Sequence, residues 1–122
     1  MLYLTTKNVL YSSHQLKNHK GKCGVLHGHQ YEIELTIKAP YSQINNNKCN
    51  FLIDLYDFDK IWKKLFPIDH VNINEITHED NPSIEFLAKW IYDNLKESLV
   101  DLYSVKIYET PTNYCTYIED EG

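Results

Sequence analysis

The sequence predicts an α+β fold in which a four-stranded antiparallel sheet carries two helices on one face. Three observations lead to this prediction. Apolar and polar residues alternate with a period of two in the first third of the chain, the middle changes to the period of an amphipathic helix, and the C-terminal part returns to short strand-like segments. The resulting order ββααββ places two hairpins in one sheet.

The clearest predicted strand runs from Tyr31 to Lys38, where four apolar residues alternate with Glu, Thr and Lys. Residues 2–13 predict a looser strand before it, and a connection rich in lysine and glycine, residues 17–24, joins the two. Residues 41–50 are expected to form a polar loop and residues 51–53 a short extended piece. The first two strands therefore precede any helix.

Two amphipathic helices are predicted next. Asp54 or Asp57 can cap the first helix and Pro67 ends it, whereas Asn81 can cap the second and Pro82 suits its first turn. The apolar face of the first helix consists of Leu55, Phe58, Ile61, Trp62 and Leu65. That of the second consists of Ile84, Leu87, Ala88, Ile91 and Leu95.

Residues 104–108 and 115–118 complete the sheet around the turn TPTN. At 122 residues the chain is expected to be one domain, 1–122. A sheet built from two hairpins has free edges, which favour pairing with other copies, so we expect a homo-oligomer.

Composition limits the partners. A net charge of −5 argues against nucleic acid or an anionic membrane as the main partner, and all twelve cationic side chains are lysines. Three cysteines are a poor disulfide framework and suit a reducing compartment. No signal peptide and no membrane-spanning stretch is recognisable, so a cytoplasmic protein is expected.

The stretch CGVLHGH contains the strongest candidate for a metal site. His27 and His29 stand two apart at the start of the predicted strand, so both point to one face, and a hairpin would bring His14 beside them. Three imidazoles with a vacant fourth position describe a catalytic zinc site. The competing interpretations are an accidental surface pair of histidines, or two histidines whose hydrogen bonds are satisfied by backbone carbonyls.

Two further groups can move protons. Cys23 lies among Lys20 and Lys22, whose positive charge favours the thiolate, and a thiolate beside a zinc-bound substrate can act as a base. Cys23 is alternatively a zinc ligand or a small buried apolar residue. In Asp69 and His70, a carboxylate can orient an imidazole for proton transfer, although most Asp-His pairs lie in ordinary turns.

Taken together, these residues resemble the family of 6-pyruvoyl- and 6-carboxy-tetrahydropterin synthases, over nearly the whole chain. Six motifs occur in the family's order, and although each is common alone, the series is specific. They are YSSH, CGVLHGH, IDLYDF, IDHVNIN, NPSIEFLA and YET. Tyr11 stands where the family usually has phenylalanine and Ser83 where it usually has threonine, and the absence of arginine departs further from its pattern.

The resemblance implies the tunnelling fold (T-fold), assembled as trimers that stack into hexamers with active sites between subunits. It implies that His14, His27 and His29 bind Zn²⁺ and that Cys23 is the general base, with Asp69 and His70 completing the proton-transfer set. It also implies that Glu109 hydrogen-bonds a pterin ring, with help from Ser83 and Glu85. Lys17, Lys20 and Lys22 are candidates for a triphosphate on charge alone.

The resemblance also implies a substrate, 7,8-dihydroneopterin triphosphate. Three residues between the cysteine and HGH resemble the bacterial carboxy branch, which releases acetaldehyde and triphosphate and leaves 6-carboxy-tetrahydropterin for queuosine biosynthesis. The alternatives are the pyruvoyl branch, which eliminates triphosphate without breaking a carbon–carbon bond, and a zinc- and pterin-binding protein without catalysis.

Overall fold

The computed structural model describes residues 1–46 and 48–120. Within these residues, four strands and three α-helices follow one another. They are β1 (Leu2–His14), β2 (His27–Ala39), α1 (Leu55–Asp59), α2 (Ile73–Thr77), α3 (Ile84–Leu95), β3 (Leu102–Thr110) and β4 (Asn113–Ile118). Short 3₁₀ turns lie at Lys22–Gly24, Tyr41–Asn46, Lys60–Lys64 and Phe66–Ile68. No helix in this described part is long and apolar enough to span a membrane.

The strands form one antiparallel sheet in the order β1-β2-β3-β4. β1 and β2 pair along 13 residues each, from Leu2 opposite Ala39 to His14 opposite His27. β1 and β4 are the two edges of the sheet. The predicted four-stranded antiparallel sheet is therefore confirmed.

The hydrophobic core lies between one face of the sheet and the helices. On β2 every second residue from Tyr31 onward is buried, because the side chains of a strand alternate between its faces; these residues are Tyr31, Ile33, Leu35, Ile37 and Ala39. α3 packs its apolar stripe against β3 and β4 through Leu87, Ala88, Ile91 and Leu95. The opposite face of the sheet carries charged side chains on its first two strands, among them the ion pair of Lys7 with Glu32.

The strands are longer than predicted, because the alternation weakens at their ends while backbone pairing continues. The first predicted helix divides in two: α1 ends at Asp59 and a 3₁₀ segment continues to Lys64. Asp54, one of the two predicted caps, accepts a hydrogen bond from the N–H of Tyr56 at 2.8 Å. α2 was not predicted, since five residues are too few to show a helical period.

The predictions of the Asn81 cap and of an extended piece at residues 51–53 were wrong. Ser83 caps α3 and accepts a hydrogen bond from the N–H of Phe86 at 3.2 Å, whereas the Asn81 side chain accepts one from Asn18. Residues 51–53 make a bend rather than a strand. The predicted loop 41–50 contains a 3₁₀ turn up to Asn46, and its residue 47 lies outside the described part.

Candidate active site

Three histidines and one glutamate meet where β1 and β2 end. His14 ends β1, His27 and His29 begin β2, and the strand register sets His14 opposite His27. Glu109 comes from the end of β3. One ligating atom from each of the four lies within 4.8 Å of the others. Among the described residues, this is the cluster whose donor atoms could share a metal ion. The sequence prediction that the three histidines converge is thus what the structure shows.

Backbone carbonyls fix the orientation of two of the imidazoles. Nδ1 of His14 lies 2.9 Å from the carbonyl oxygen of Pro82, and Nδ1 of His27 lies 2.6 Å from that of Val25. A carbonyl oxygen only accepts, so each Nδ1 carries the proton and each Nε2 keeps its lone pair. The two Nε2 atoms are 3.0 Å apart. This arrangement is typical of metal-ligating histidines, whose other ring nitrogen is held by an outer partner.

His29 contributes a buried nitrogen that lacks a hydrogen bond. Its Nε2 has no hydrogen-bond partner within the described chain, although Oε1 of Glu109 lies 2.8 Å away, because that contact lacks hydrogen-bond geometry. Burial lowers the pKa of His29, and the neighbouring His14 and His27 lower it further against the opposing effect of Glu109. A lower pKa favours the neutral imidazole that binds metals. The orphaned nitrogen and the three converging imidazoles fit a zinc ion whose fourth position stays open.

Cys23 stands apart from this cluster. It lies in the 3₁₀ turn Lys22–Gly24, half-buried, and is not among the four residues whose ligating atoms converge. The fourth donor beside the histidines is the carboxylate of Glu109, at 3.3 Å from Nε2 of His14. The arrangement gives no support to Cys23 as a zinc ligand.

Asp69 and His70 form a hydrogen-bonded pair at the edge of β1. Oδ2 of Asp69 lies 2.9 Å from Nδ1 of His70, and Oδ1 accepts a hydrogen bond from the backbone N–H of Tyr11 at 2.8 Å. The N–H of His70 donates to the carbonyl of Tyr11, and the two rings lie 5.8 Å apart. With a φ of 57°, His70 has a left-handed backbone, and 73% of its side chain is exposed. The pair is preorganised, and its imidazole faces open space.

A groove of about 600 Å³ runs along this edge of the sheet. His29 and His70 both contribute to its lining, together with Tyr11, Gly28 and Gln30. Gly28 adds no side chain to it. Tyr11 projects from the face of β1 opposite to that of His14, because successive strand residues alternate. His29 of the imidazole cluster and His70, whose ring lies near that of Tyr11, therefore both border this one groove.

A family model described as 6-pyruvoyl tetrahydropterin synthase matches residues 3–120, almost the whole chain. The chain belongs to the 6-pyruvoyl tetrahydropterin synthase family. Among its relatives, the 6-carboxy-5,6,7,8-tetrahydropterin synthase of Haemophilus influenzae is 30% identical, with 88% of this chain and 92% of the relative covered. The 6-pyruvoyl tetrahydrobiopterin synthase of Dictyostelium discoideum is 32% identical, with 93% of each covered.

The fold agrees with this family. The structure of 6-pyruvoyl tetrahydropterin synthase from Caenorhabditis elegans superimposes with a TM-score of 0.79 at 25% identity, covering 98% of both chains. The expectation of a T-fold with the order ββααββ is confirmed. Relatives named for the carboxy product and for the pyruvoyl product both match, so the family name alone does not select a reaction.

The other candidates that the family resemblance suggested lie at the start of α3 and in the loop after β1. The Ser83 side chain is occupied in capping α3. Glu85 is exposed in the first turn and lies near Cys115, whose pKa is raised by burial and then by the charge of Glu85. Nζ of Lys17 pairs with Asp80 at 3.2 Å. The structure thus brings none of these three into the histidine cluster.

Sequence reasoning missed the groups that hold the ligands in place. The carbonyls of Pro82 and Val25 carry no signal in the sequence, because every residue has a carbonyl and only the fold decides where it points. The proximity of Glu109 to His29 was missed for the same reason, since it depends on how β2 and β3 are paired. A strand-end glutamate beside a predicted HxH strand is the one signal that was available.

Proposed function

We propose that this chain is a zinc-dependent carbon–carbon lyase that converts 7,8-dihydroneopterin triphosphate into 6-carboxy-5,6,7,8-tetrahydropterin, acetaldehyde and triphosphate, in queuosine biosynthesis. The observation that carries the proposal is the convergence of three imidazoles with two Nδ1 atoms tied to carbonyls, which leaves Nε2 lone pairs for a metal. The three-residue interval between Cys23 and HGH favours the carboxy branch, as do several relatives named for that product.

His14, His27 and His29 would hold the zinc ion. When bound, zinc supplies Lewis acidity that makes the hydroxyl protons of the substrate side chain, and the neighbouring C–H, more acidic. Cys23 removes such a proton as the general base. His70 transfers a second proton, while Asp69 holds its Nδ1 and stabilises the charged ring.

Glu109 recognises the pterin in this proposal. A carboxylate can accept the two adjacent N–H donors of the pterin ring, and the ion at the imidazoles would compete with Glu109 for the nitrogens it now contacts. Ser83 and Glu85 assist substrate binding from the start of α3. Lys17, Lys20 and Lys22 are the cations proposed for the triphosphate, all of them exposed.

The position of the Asp69–His70 pair supports an oligomer, a trimer or hexamer with active sites between subunits. The pair lies beside β1, which is an edge strand of the sheet, and the imidazole of His70 is exposed there, so a second copy of the chain can approach this edge and complete the site. We also propose that the protein acts in the cytoplasm.

The test is to incubate zinc-loaded protein with 7,8-dihydroneopterin triphosphate and to measure acetaldehyde and 6-carboxy-tetrahydropterin, alongside Cys23→Ala. Both products from the wild type, and neither from a variant that keeps its zinc, would support the lyase and the base together. Triphosphate with a pyruvoyl product and no acetaldehyde would instead support the pyruvoyl synthase. Absence of turnover in zinc-loaded protein would favour the binding protein without catalysis.

A further inference from the structure

A buried asparagine on α2 holds the segment that contains Cys23. Asn74 is only 9% exposed, and its side chain makes three hydrogen bonds. Its Oδ1 accepts from the N–H of Gln15 at 2.8 Å, and its Nδ2 donates to the carbonyls of Gln15 at 2.7 Å and Asp80 at 3.1 Å. One side chain thus satisfies both backbone groups of Gln15, the first residue after β1.

The side chain of Gln15 extends this contact to the neighbour of the cysteine. Its Nε2 donates to the carbonyl of Gly24 at 2.7 Å, and the N–H of Leu16 donates to the carbonyl of Cys23 at 2.8 Å. The two ends of residues 15–24, called here the cysteine loop, are therefore joined to each other and to α2. Cys23 lies where the two ends of this loop are joined.

Close packing within the loop leaves it little freedom. Gly24 lies against the carbonyl of His19 so closely that a Cβ would overlap that oxygen. On the outer side, the N–H of Lys17 donates to the carbonyl of Asp80 at 3.1 Å and that of Asn18 to Oδ1 of Asn81 at 2.9 Å. These are the residues just before Pro82, whose carbonyl holds His14.

We propose that Asn74 and Gln15 are positioning residues for Cys23. They fix the cysteine loop to the same chain segment, residues 80–82, that orients His14. The proposal rests on the proposed function, because that function makes Cys23 the general base that has to be held in position. Its structural part, that these two side chains hold Cys23 in place, is testable without turnover.

The experiment compares wild type with Gln15→Met, which keeps the length of the side chain but removes the donor to Gly24. Peptide mapping by mass spectrometry follows alkylation by iodoacetamide at Cys23 and, as an internal reference, at the exposed Cys49. We expect Cys23 to be alkylated about threefold to tenfold faster, the factor that corresponds to one lost hydrogen bond, while the rate at Cys49 is unchanged. Asn74→Asp, which loses both donors, is expected to accelerate it more.

Gln43→Met is the matched control, because Gln43 Nε2 bonds to Asp101 at 3.4 Å in a different part of the surface. In turnover, Gln15→Met is expected to lower kcat with little change in KM and with the zinc content of the wild type. Unchanged alkylation at Cys23 together with unchanged kcat would overturn the proposal. Faster alkylation in Gln15→Met, combined with a fully active Cys23→Ala, would support the positioning but overturn the role of Cys23 as base.

Discussion

The carboxylate of Asp69 accepts a hydrogen bond from the backbone N–H of Tyr11 at 2.8 Å and lies 2.9 Å from Nδ1 of His70. Burial alone raises the pKa of Asp69, but the Tyr11 N–H and the His70 ring lower it by more, so the net pKa is below the ordinary 3.8. The ionised carboxylate is therefore bound more favourably in the folded protein than in the unfolded chain.

The first prediction follows from the lowered pKa of Asp69. Because the unfolded chain binds the proton more tightly, the contribution of Asp69 to stability is present above about pH 4 and is lost as pH falls through its lowered pKa. Asp69→Asn should be less stable than wild type near neutral pH and approach it in acid. Denaturant unfolding at several pH values measures the difference, with Asp93→Asn, whose partner is Lys89, as the exposed control. A difference that stays constant down to about pH 2 would contradict the lowered pKa.

The second prediction concerns a buried hydroxyl. Tyr31 is 1% exposed, and its hydroxyl has no hydrogen-bond partner within residues 1–46 and 48–120; burial, followed by the charge of Glu109, raises its pKa. Tyr31→Phe removes this unpaired group and should stabilise the metal-free protein by about 1 kcal/mol.

Tyr92 provides the matched control for Tyr31. Its hydroxyl lies 3.3 Å from the carbonyl oxygen of Leu102 and 3.1 Å from a carboxylate oxygen of Glu119, and either can accept its single proton, so Tyr92→Phe should destabilise the protein by about 1 kcal/mol. Burial and then the bond to Glu119 raise the pKa of Tyr92 to about 12, which keeps the donor protonated. Equal effects of the two substitutions in chemical denaturation would show that the Tyr31 hydroxyl finds a partner.

The third prediction compares two glycines of the CGVLHGH stretch. Gly24→Ala should destabilise the protein by about 1–3 kcal/mol, because the new methyl group overlaps the carbonyl of His19. At Gly28 the nearest atom to a new Cβ would be the carbonyl oxygen of Ser12 at 3.8 Å, an ordinary contact, so Gly28→Ala should leave stability unchanged or slightly higher. Thermal unfolding of both variants measures the difference. Comparable losses of stability would contradict the prediction that only Gly24 lacks space for a methyl group.

The fourth prediction separates metal binding from pterin binding. His14→Ala should lose zinc, whereas Glu109→Gln should keep it and bind the pterin substrate more weakly, because the amide replaces one acceptor oxygen with a donor. Elemental analysis gives the zinc content, and calorimetric titration with a pterin gives the affinity. His78→Asn is the control, since His78 is exposed at the left-handed end of α2, a conformation that asparagine tolerates. Loss of zinc in Glu109→Gln would make Glu109 a ligand.

Sequence reasoning predicted the strands and helices in which apolar residues recur at a regular spacing. The alternation in β2 and the stripe of α3 continue over enough residues to identify each element, and with HGH on a strand, the convergence of His27 and His29 follows from the strand period alone. α2 and the 3₁₀ segment after α1 were missed because they are shorter than the period that would reveal them.

What the sequence did not predict depends on contacts between distant segments. Asn81 and Ser83 are both good caps by residue type, and only the long-range bond from Asn18 to Asn81 decides between them. The distance between Glu109 and the histidines likewise depends on the pairing of β2 with β3, which shifts register near Thr36. Local pattern identifies an element, but the relative positions of elements are set by packing.

The pairing of β1 with β2 makes the histidine cluster a check on correct folding. His14 and His27 are directly opposite at the last of their paired positions, and a slip of β1 by one residue would turn His14 to the other face of the sheet. A misaligned chain would still contain all three histidines but would have lost the place where they meet. Retention of a metal would therefore report that the two strands are correctly aligned at the end where His14 faces His27. This is the end farthest from the pair of Leu2 and Ala39.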